Sequence, residues 1–159
     1  MAYDAYIKLT GIKGEATASK FEGAIDIHSF SWGASNPVSN TGAGLGAGKV
    51  SISSFNFMKK TDNASPGIFS ACCAGTHIAS CSVHLRKAGG DQIEFLTYNF
   101  NDVMVESVQW SGSSGGDDTP TESVSIAFTK VEIKYISQDA KGKAGSPVVG
   151  SWDLKAVKK

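Results

Sequence analysis

The sequence lacks several features that would assign a protein to a large functional class. Its 159 residues include fifteen basic and fifteen acidic side chains, so the formal net charge is zero. Domains that bind nucleic acid usually carry a clear basic excess, so no nucleic-acid partner is expected. No stretch of the sequence approaches the roughly 18 consecutive apolar residues that a membrane-spanning helix requires. Membrane insertion is therefore not expected either.

The sequence also has little cysteine and no pattern typical of a Sec signal peptide. The three cysteines are Cys72, Cys73 and Cys81, an odd number of which two are adjacent. This pattern does not predict a disulfide framework, and it fits folding in a reducing cytoplasm. The N-terminal stretch MAYDAYIKLTG contains an early aspartate and no long apolar segment, unlike a cleavable signal. Export by a route that needs no cleavable signal stays compatible with these observations.

A glycine-rich stretch, NTGAGLGAGKV at residues 40–50, looks like a phosphate-binding loop but does not match the motif of one. A P-loop requires G-x-x-x-x-G-K followed by Ser or Thr, whereas Ala43 stands at the first glycine position and Val50 follows Lys49. The dinucleotide fingerprint G-x-G-x-x-G fails at its last glycine. Both motifs also need a helix directly afterwards, and the next residues, KVSISSFNFMKK, are strand formers. The stretch is therefore not expected to bind a nucleotide.

The cysteine and histidine residues do not have the spacing of metal ligands. Cys72 and Cys73 would point about 100° apart on a helix, and His77 and Cys81 would lie roughly 13 Å apart on a strand. Zinc ligands must converge within about 2.3 Å of one ion. We therefore interpret the three thiols as buried core residues, and we expect no metal and no cofactor.

No catalytic residue is identified from the sequence. There is no G-x-S-x-G elbow that would present a nucleophile, and Asp117–Asp118 lacks the spacing of a calcium loop. His28 is interpreted as a solvent-facing residue of a strand. A Cys–His pair can form in space between distant residues, so an enzyme that uses such a pair is kept as an alternative.

Most of the chain has the alternation or the composition of β-strands. The strand-like segments are YDAYIKL, AIDIHSFSWG, KVSISSFNFM, THIASCSVHLRK, DQIEFLTYNF, VMVESVQW, ESVSIAFTKVEIKYIS and VVGSWDLK. In two of them the apolar alternation changes phase, once between Ile27 and Phe30 and once near Thr129–Lys130. A bulge or burial on both faces would explain the first change, and a bend at a barrel corner would explain the second.

One helix is predicted at about Pro66–Ala74. Ser65 would supply the N-cap oxygen, Pro66 suits the first helical position, and Gly75 is a C-terminal stop. One short helix among about eight strands indicates a mainly β fold, a closed or nearly closed β-barrel with the helix beside it. We expect a single domain over residues 1–159. Two long loops, residues 36–48 and 111–122, are expected between strands, and a structureless loop of such length is usually functional or disordered.

Seven motifs occur along the chain in order: DAYIKLTGIKGEA, IDIHSFSWG, GKVSISSFNF, ASPGIFSACCAGTH, LRKAGG, ESVQWSGSSGGDDTPTESVSIAF and GSWDLK. Together they extend from about Tyr3 to Lys159. This ordered set resembles the haemolysin-coregulated protein (Hcp) family, the tube proteins of bacterial type VI secretion. The resemblance implies a β-barrel of two antiparallel sheets flanked by one short helix.

The resemblance also implies a function. The subunit is expected to form a hexameric ring, and the rings to stack into the inner tube of a type VI secretion system. The expected partners are further copies of the chain, the valine-glycine repeat spike protein, the contractile sheath, and effector proteins carried or chaperoned in the lumen. The subunit is expected in the bacterial cytoplasm and then outside the cell, exported without a cleaved signal peptide. It would catalyse no reaction.

Two sets of site residues follow from the resemblance. In the family, the long loop between the second and third strands reaches toward the neighbouring ring. The corresponding ring-stacking residues here are Asn40, Thr41, Gly42, Ala43, Gly44, Leu45, Gly46, Ala47 and Gly48. The second strand of the family contributes to the pore wall, so Ser31, in the motif SFSWG, is the pore-facing candidate.

A monomeric β-barrel that binds a small ligand is the principal alternative. Trp32 and Trp110 motivate it, because they are candidates for exposed aromatic side chains near mobile loops. The oligomeric state of the purified protein distinguishes a ring subunit from such a module.

Overall fold

Short alternating segments of the chain form strands, as the sequence predicts. The structure is a computed structural model that describes residues 2–40, 42–116 and 118–159, and these contain thirteen strands and one helix. The elements in chain order are β1 (Tyr3–Leu9), β2 (Ile25–Ile27), β3 (Ser29–Ser31), β4 (Ala34–Ser35), β5 (Val38–Asn40), β6 (Leu45–Ala47), β7 (Ser51–Ile52), β8 (Phe55–Lys60), α1 (Ser65–Ala74), β9 (Ile78–Lys87), β10 (Glu94–Ser111), β11 (Thr121–Ala127), β12 (Lys130–Gln138) and β13 (Ala144–Asp153). The mainly β fold with one short helix is confirmed.

The barrel closes because the second predicted strand is divided at His28. β2 pairs with β1, and β3 pairs with β8. The strands between them pair in the order β1, β9, β10, β11, β8, so residues 25–31 join the two ends of this series. The phase change between Ile27 and Phe30 therefore marks a change of pairing partner, and neither a bulge nor burial on both faces is needed to explain it.

β10 is one continuous strand of eighteen residues, where the sequence predicts two. As far as Asn101 it pairs with β9 on one side and β12 on the other. From Met104 it pairs with β11, with a register shift between Val105 and Ser107. β10 therefore belongs to two antiparallel sheets. We call them sheet 1 (β2, β1, β9, β10, β12, β13) and sheet 2 (β10, β11, β8, β3).

The corner between β11 and β12 lies where the sequence predicts a bend. β11 ends at Ala127 in sheet 2, and β12 begins at Lys130 in sheet 1. Between them, the backbone N–H of Thr129 donates to the carbonyl of Asn101 at 3.1 Å, and Phe128 is buried. The second phase change of the sequence is thus a passage between sheets.

The two predicted loops differ from expectation in different ways. Residues 36–48 are not structureless, because β5 and β6 form an antiparallel hairpin within them. The second loop is shorter than predicted, since Ser111 belongs to β10, and Thr121 and Glu122 belong to β11. Its described part is residues 112–116 and 118–120, and Asp117 lies outside the described residues.

Apolar side chains from both sheets and from one face of α1 fill the barrel. The helix contributes Ile68 and Ala71, which are buried, and Gly75 ends it in the left-handed conformation, with φ 63°, as predicted. The largest fully buried apolar side chains are Phe55, Phe57, Phe100, Ile7, Ile25, Ile68, Ile126, Val83, Val103 and Val124.

A buried ionic cluster lies at the start of α1, where the sequence predicts only an N-cap. Ala64 occupies the N-cap position, so the assignment of Ser65 was wrong. The Ser65 hydroxyl instead accepts a hydrogen bond from Lys59 Nζ at 2.9 Å and donates to Glu122 Oε2 at 2.5 Å. Lys59 Nζ also lies 2.8 Å from Asp62 Oδ1 and 3.4 Å from Glu122 Oε1. Since Lys59 and Glu122 are fully buried and face each other across β8 and β11, the cluster connects the helix to sheet 2.

Replacing Glu122 with alanine should destabilise the protein by about 3–5 kcal/mol, because Lys59 would be left buried without its strand partner. The exposed Glu22 offers a matched control, and Glu22→Ala should change the free energy of unfolding by no more than about 0.5 kcal/mol. Guanidinium unfolding followed by tryptophan fluorescence measures both values. The double variant Lys59→Met, Glu122→Leu should recover most of the loss. Equal stability of Glu122→Ala and Glu22→Ala would contradict the structural role of the cluster.

Candidate functional site

The predicted ring-stacking residues form a projecting hairpin. β5 and β6 pair in the register Val38 with Ala47, Ser39 with Gly46, and Asn40 with Leu45. Within the described residues this hairpin is a separate two-stranded sheet. The structure therefore brings together Asn40 and residues 42–48, whereas Thr41 lies outside the described residues.

Two apolar side chains of the hairpin face solvent. Leu45 is 78% exposed and Val38 is 59% exposed. Every described residue of β5, β6 and the turn between them is exposed. A hairpin with exposed apolar side chains has surface available for another molecule, and it contributes nothing to the core of its own barrel.

The hairpin glycines have two different physical roles. Gly42 and Gly44 have positive φ values of 69° and 127°, a region that L side chains avoid. Gly48 is required for space, because a Cβ atom there would lie 2.6 Å from Cγ of Pro37. The Gly48 N–H donates to the Pro37 carbonyl at 2.9 Å and to Oδ1 of Asn36 at 2.8 Å. The glycines therefore shape a defined turn and a tight base.

Ser31, the pore-facing candidate, is exposed on the outer face of sheet 2. It pairs with Asn56, while its neighbour Phe30 pairs with the buried Phe57. The alternation is thus settled here: Phe30 packs against the core, and Ser31 faces outward. The side chain of Ser31 has the orientation that a position on a pore wall would require.

Ser31 belongs to two rows of uncharged side chains that cross all four strands of sheet 2. One row is Ser31, Asn56, Ser125 and Ser107, and the other is Ser29, Met58, Ser123 and Gln109. We call these eight residues the uncharged face. Of the charged residues next to these rows, Lys59 and Glu122 point to the barrel interior. Lys60 follows Asn56 and Met58 in the outward alternation of β8, and Glu106 is exposed at the bulge of β10, so both border the uncharged face. Sequence reasoning identified only Ser31 of this face, although the alternation in FNFMKK and ESVSIAF already indicates Asn56, Met58, Ser123 and Ser125.

The cysteines do not all lie in the core. Cys81 is buried and Cys72 is partly buried, but Cys73 is exposed, so the expectation of three buried thiols was wrong for Cys73. On the helix, Ile68 and Ala71 face the core, whereas Phe69 is half-exposed. Burial raises the pKa of the Cys81 thiol far above its ordinary value.

Two of the three histidines belong to separate pairs, and the third, His28, is exposed. His77 Nδ1 lies 3.3 Å from Asp102 Oδ1 at the surface, and His84 bridges Glu94 and Ser82 on sheet 1. Burial alone would raise the pKa of Glu94, but hydrogen bonds from His84 and Thr97 outweigh it and leave this pKa below its usual value. Glu94 is thus held as a carboxylate that links β9 and β10. Among the described residues, no group of three or more His, Cys, Asp or Glu side chains could hold a metal ion.

Solved structures with the same fold define the class of this protein. A structure described as that of a type six secretion system protein matches with a TM-score of 0.94 and 35% identity, and each chain is covered over 99% of its length. The crystal structure of Hcp1 from Salmonella typhimurium matches with a TM-score of 0.81 and 32% identity, again over 99% of both chains. The closed barrel with its two sheets is therefore the fold of a type VI secretion protein.

Sequence comparison gives the family. The family model described as "Type VI secretion system effector, Hcp" matches residues 6–135. Protein hcp1 of Pseudomonas aeruginosa is 39% identical over 158 residues, which cover 98% of this chain and 97% of that protein. The chain belongs to the Hcp family of type VI secretion proteins. Within the described residues, no helix is both long and apolar enough to cross a membrane.

The three thiols should differ strongly in reactivity. Iodoacetamide should label Cys73 in the folded protein, Cys72 more slowly, and Cys81 only after unfolding, because the thiolate is the reactive form and burial suppresses it. Raising the pH from 7 to 9 should leave Cys81 unlabelled in the folded protein, because burial raises its pKa. Peptide mass spectrometry identifies each site, with Cys73→Ser as the control. Labelling of Cys81 at the rate of Cys73 would contradict the burial described above.

Proposed function

We propose that this protein is the structural subunit of a hexameric ring that stacks into the inner tube of a type VI secretion system. The tube would carry or chaperone effector proteins in its lumen, act together with the valine-glycine repeat spike protein and the contractile sheath, and be exported itself. In this role the subunit passes from the bacterial cytoplasm to the outside without a cleaved signal peptide. The role is mechanical and needs no catalysed reaction and no cofactor. Family membership supports this proposal.

The uncharged face is the observation that carries the proposal. Its two rows contain serine, asparagine, glutamine and methionine side chains and no charged side chain. A lumen must let cargo of either charge pass, and charged walls that face each other across a confined space would attract or repel cargo strongly. An uncharged polar wall avoids both effects. We therefore assign the uncharged face, including Ser31, to the lumen.

Exposed apolar side chains of sheet 1 are consistent with contacts between subunits. Tyr135 and Val148 face each other on β12 and β13, and both are about half or more exposed. Ile133 on β12 and Val149 on β13 are exposed as well. A monomer in water gains nothing from such surface, whereas a ring buries it through heterologous contacts between neighbouring copies. β13 is also an edge strand whose only described partner is β12.

The hairpin of β5 and β6 is assigned to contacts between rings. It projects from the barrel and exposes Leu45 and Val38. Because Gly42 and Gly44 adopt positive φ and Gly48 fits a tight base, we expect the arm to keep this shape in the free subunit. Stacking would therefore cost less conformational entropy than ordering a flexible loop, which costs about 1–2 kcal/mol per residue.

Deleting residues 42–48 should leave single rings intact and prevent their stacking, because the ring contacts lie elsewhere on the barrel. Negative-stain images and mass photometry of the purified protein measure rings and stacks. A milder variant, Leu45→Ser, should weaken stacking, and Ala43→Ser, a change in the same turn that removes no large apolar side chain, should not. Stacks of normal length after the deletion would refute the assignment of the arm. A wild-type protein that is monomeric and forms no rings would refute the proposed function as a whole.

Ser31→Arg should leave ring formation unchanged and reduce the retention and secretion of effectors, since a charge would enter the uncharged face. Co-purification of an effector with the ring, and its amount in the culture medium, measure the effect. Asn101→Arg introduces the same side chain at an exposed position of sheet 1 and should leave secretion unchanged. If both variants reduced effector retention equally, the uncharged face would not line the lumen.

A further inference from the structure

Three polar side chains on the outer face of sheet 1 are hydrogen-bonded in series. Ser82 and His84 are alternate residues of β9, so their side chains share one face, and Glu94 at the start of β10 lies beside them. Ser82 Oγ lies 2.9 Å from His84 Nε2, and Glu94 Oε1 lies 2.5 Å from His84 Nδ1. A serine, an imidazole and a carboxylate at such distances form the arrangement that activates a serine as a nucleophile.

The charge of Glu94 determines where the imidazole hydrogen lies. Burial acts to raise the pKa of Glu94, but hydrogen bonds from His84 and from Thr97, whose Oγ1 lies 2.6 Å away, leave this pKa below its usual value. A carboxylate only accepts hydrogen bonds, so Nδ1 of His84 carries the hydrogen and donates it. In the neutral imidazole Nε2 is then the acceptor, and the Ser82 hydroxyl donates to it. This is the tautomer in which Nε2 can take the serine proton.

Two hydrogen-bond donors flank Ser82 on the same face. In the register of sheet 1, Lys8 of β1 lies on one side of it and Asn99 of β10 on the other. Asn99 Nδ2 directs one hydrogen to Glu132 in a long bond of 3.5 Å, which leaves its second hydrogen for an incoming group. Facing side chains start about 4.5–5.5 Å apart at their Cβ atoms, so both donors can reach an oxyanion that forms next to Ser82 Oγ. Donors placed in this way stabilise the transition state of acyl transfer.

The series is open to a small molecule. Ser82 is partly exposed, and the side chain of His84 is 17% exposed. The ring of Phe21 lies 5.2 Å from the imidazole and stands as an apolar wall on one side. An aromatic or short aliphatic group of a substrate can therefore pack beside the nucleophile.

This face of sheet 1 is not the one that exposes Tyr135 and Ile133. Those residues pair with Leu96 and Tyr98, whereas Thr97, the partner of His84, points to the other face with Lys134. Of the residues that we assign to contacts between subunits, Val149 lies on the same face as His84, but on β13, three strands away.

We propose that Ser82, His84 and Glu94 form a catalytic triad that hydrolyses small carboxylic esters with a good leaving group, of the class of short-chain aryl esters. Ser82 Oγ bonds to the carbonyl carbon, and its proton passes to His84 Nε2. The bond from that carbon to the leaving oxygen then breaks, and this oxygen takes the proton. Water next attacks the acyl group, His84 transfers a proton from the water to Ser82 Oγ, and the carboxylic acid leaves. The activity goes beyond the mechanical role proposed above and does not depend on ring assembly.

The test is the hydrolysis of p-nitrophenyl acetate by the purified full-length protein, followed as release of p-nitrophenolate over many turnovers per subunit. Ser82→Ala should lower kcat/KM at least about 100-fold, because general base catalysis contributes roughly 10²–10⁴-fold. Ser80 is a matched control, since it lies two residues earlier on the same face and its hydroxyl bonds to Thr10 in place of a histidine. Ser80→Ala should leave the turnover unchanged. Guanidinium unfolding shows that both variants are folded.

Two further measurements separate catalysis from a structural role of the three residues. Glu94→Gln should lower kcat and leave KM unchanged, because the carboxylate stabilises an imidazolium that forms only during the reaction. A fluorophosphonate probe should label Ser82 and not Ser80 in the folded protein, as identified by peptide mass spectrometry. The labelling should disappear in His84→Gln, which lacks the base.

Three outcomes would overturn the proposal. They are release of p-nitrophenolate that stops after one equivalent per subunit, a turnover in Ser82→Ala equal to that of the wild-type protein, and fluorophosphonate labelling that does not include Ser82. Any of them would leave the three residues as a hydrogen-bonded link between β9 and β10.

Discussion

The arrangement of the barrel depends on the pairing of β10 with three other strands. The first part of β10 lies between β9 and β12, and the second part pairs with β11 from Met104 onward, with a bulge at Val105–Ser107 inside this pairing. One strand thereby turns from sheet 1 into sheet 2 without a break, and β12 and β13 extend sheet 1 beyond the barrel. Sheet 2 is consequently a four-stranded wall with one face in the core. Its other face, which carries the uncharged rows, is left for contact with something outside the subunit.

The ionic cluster and the uncharged face are two consequences of one alternation. In β8, Phe55, Phe57 and Lys59 point inward, so the residues between them, Asn56 and Met58, point outward. The charge of β8 at this position is therefore inside the barrel, where Glu122 balances it. Burying an ion pair is costly unless it is well bonded, and here Ser65 and Asp62 supply the additional bonds. The register that places Lys59 and Glu122 inside the barrel also keeps these two charges away from the two rows of the outer face.

The sequence predicts those parts of the fold that depend on local signals. The bounds of β1, the helix ending at Ala74 and the corner before Lys130 each follow from alternation, proline or glycine. The continuity of β10 was missed, because the polar pair Asn101–Asp102 lies between the two predicted strands, and Asp102 adopts a positive φ of 54°. Tertiary contacts decide that β2 pairs with β1 and β3 with β8 on the two sides of His28. They also decide the inward position of Lys59. For the candidate site, the glycine-rich segment could be recognised from sequence as a connection between strands, but the pairing of β5 with β6 within it could not. The cross-strand neighbours of Ser31 likewise depend on the strand register.

The glycine-rich hairpin is more constrained than its sequence suggests. A glycine-rich segment suggests freedom of the backbone, yet Gly48 has no room for a side chain and its N–H is held by Pro37 and Asn36. The base of the arm is therefore held in place, and together with Trp152 and β13 it lines an apolar groove on the surface of the barrel. Any molecule that fills the groove contacts the base of the arm and β13 together.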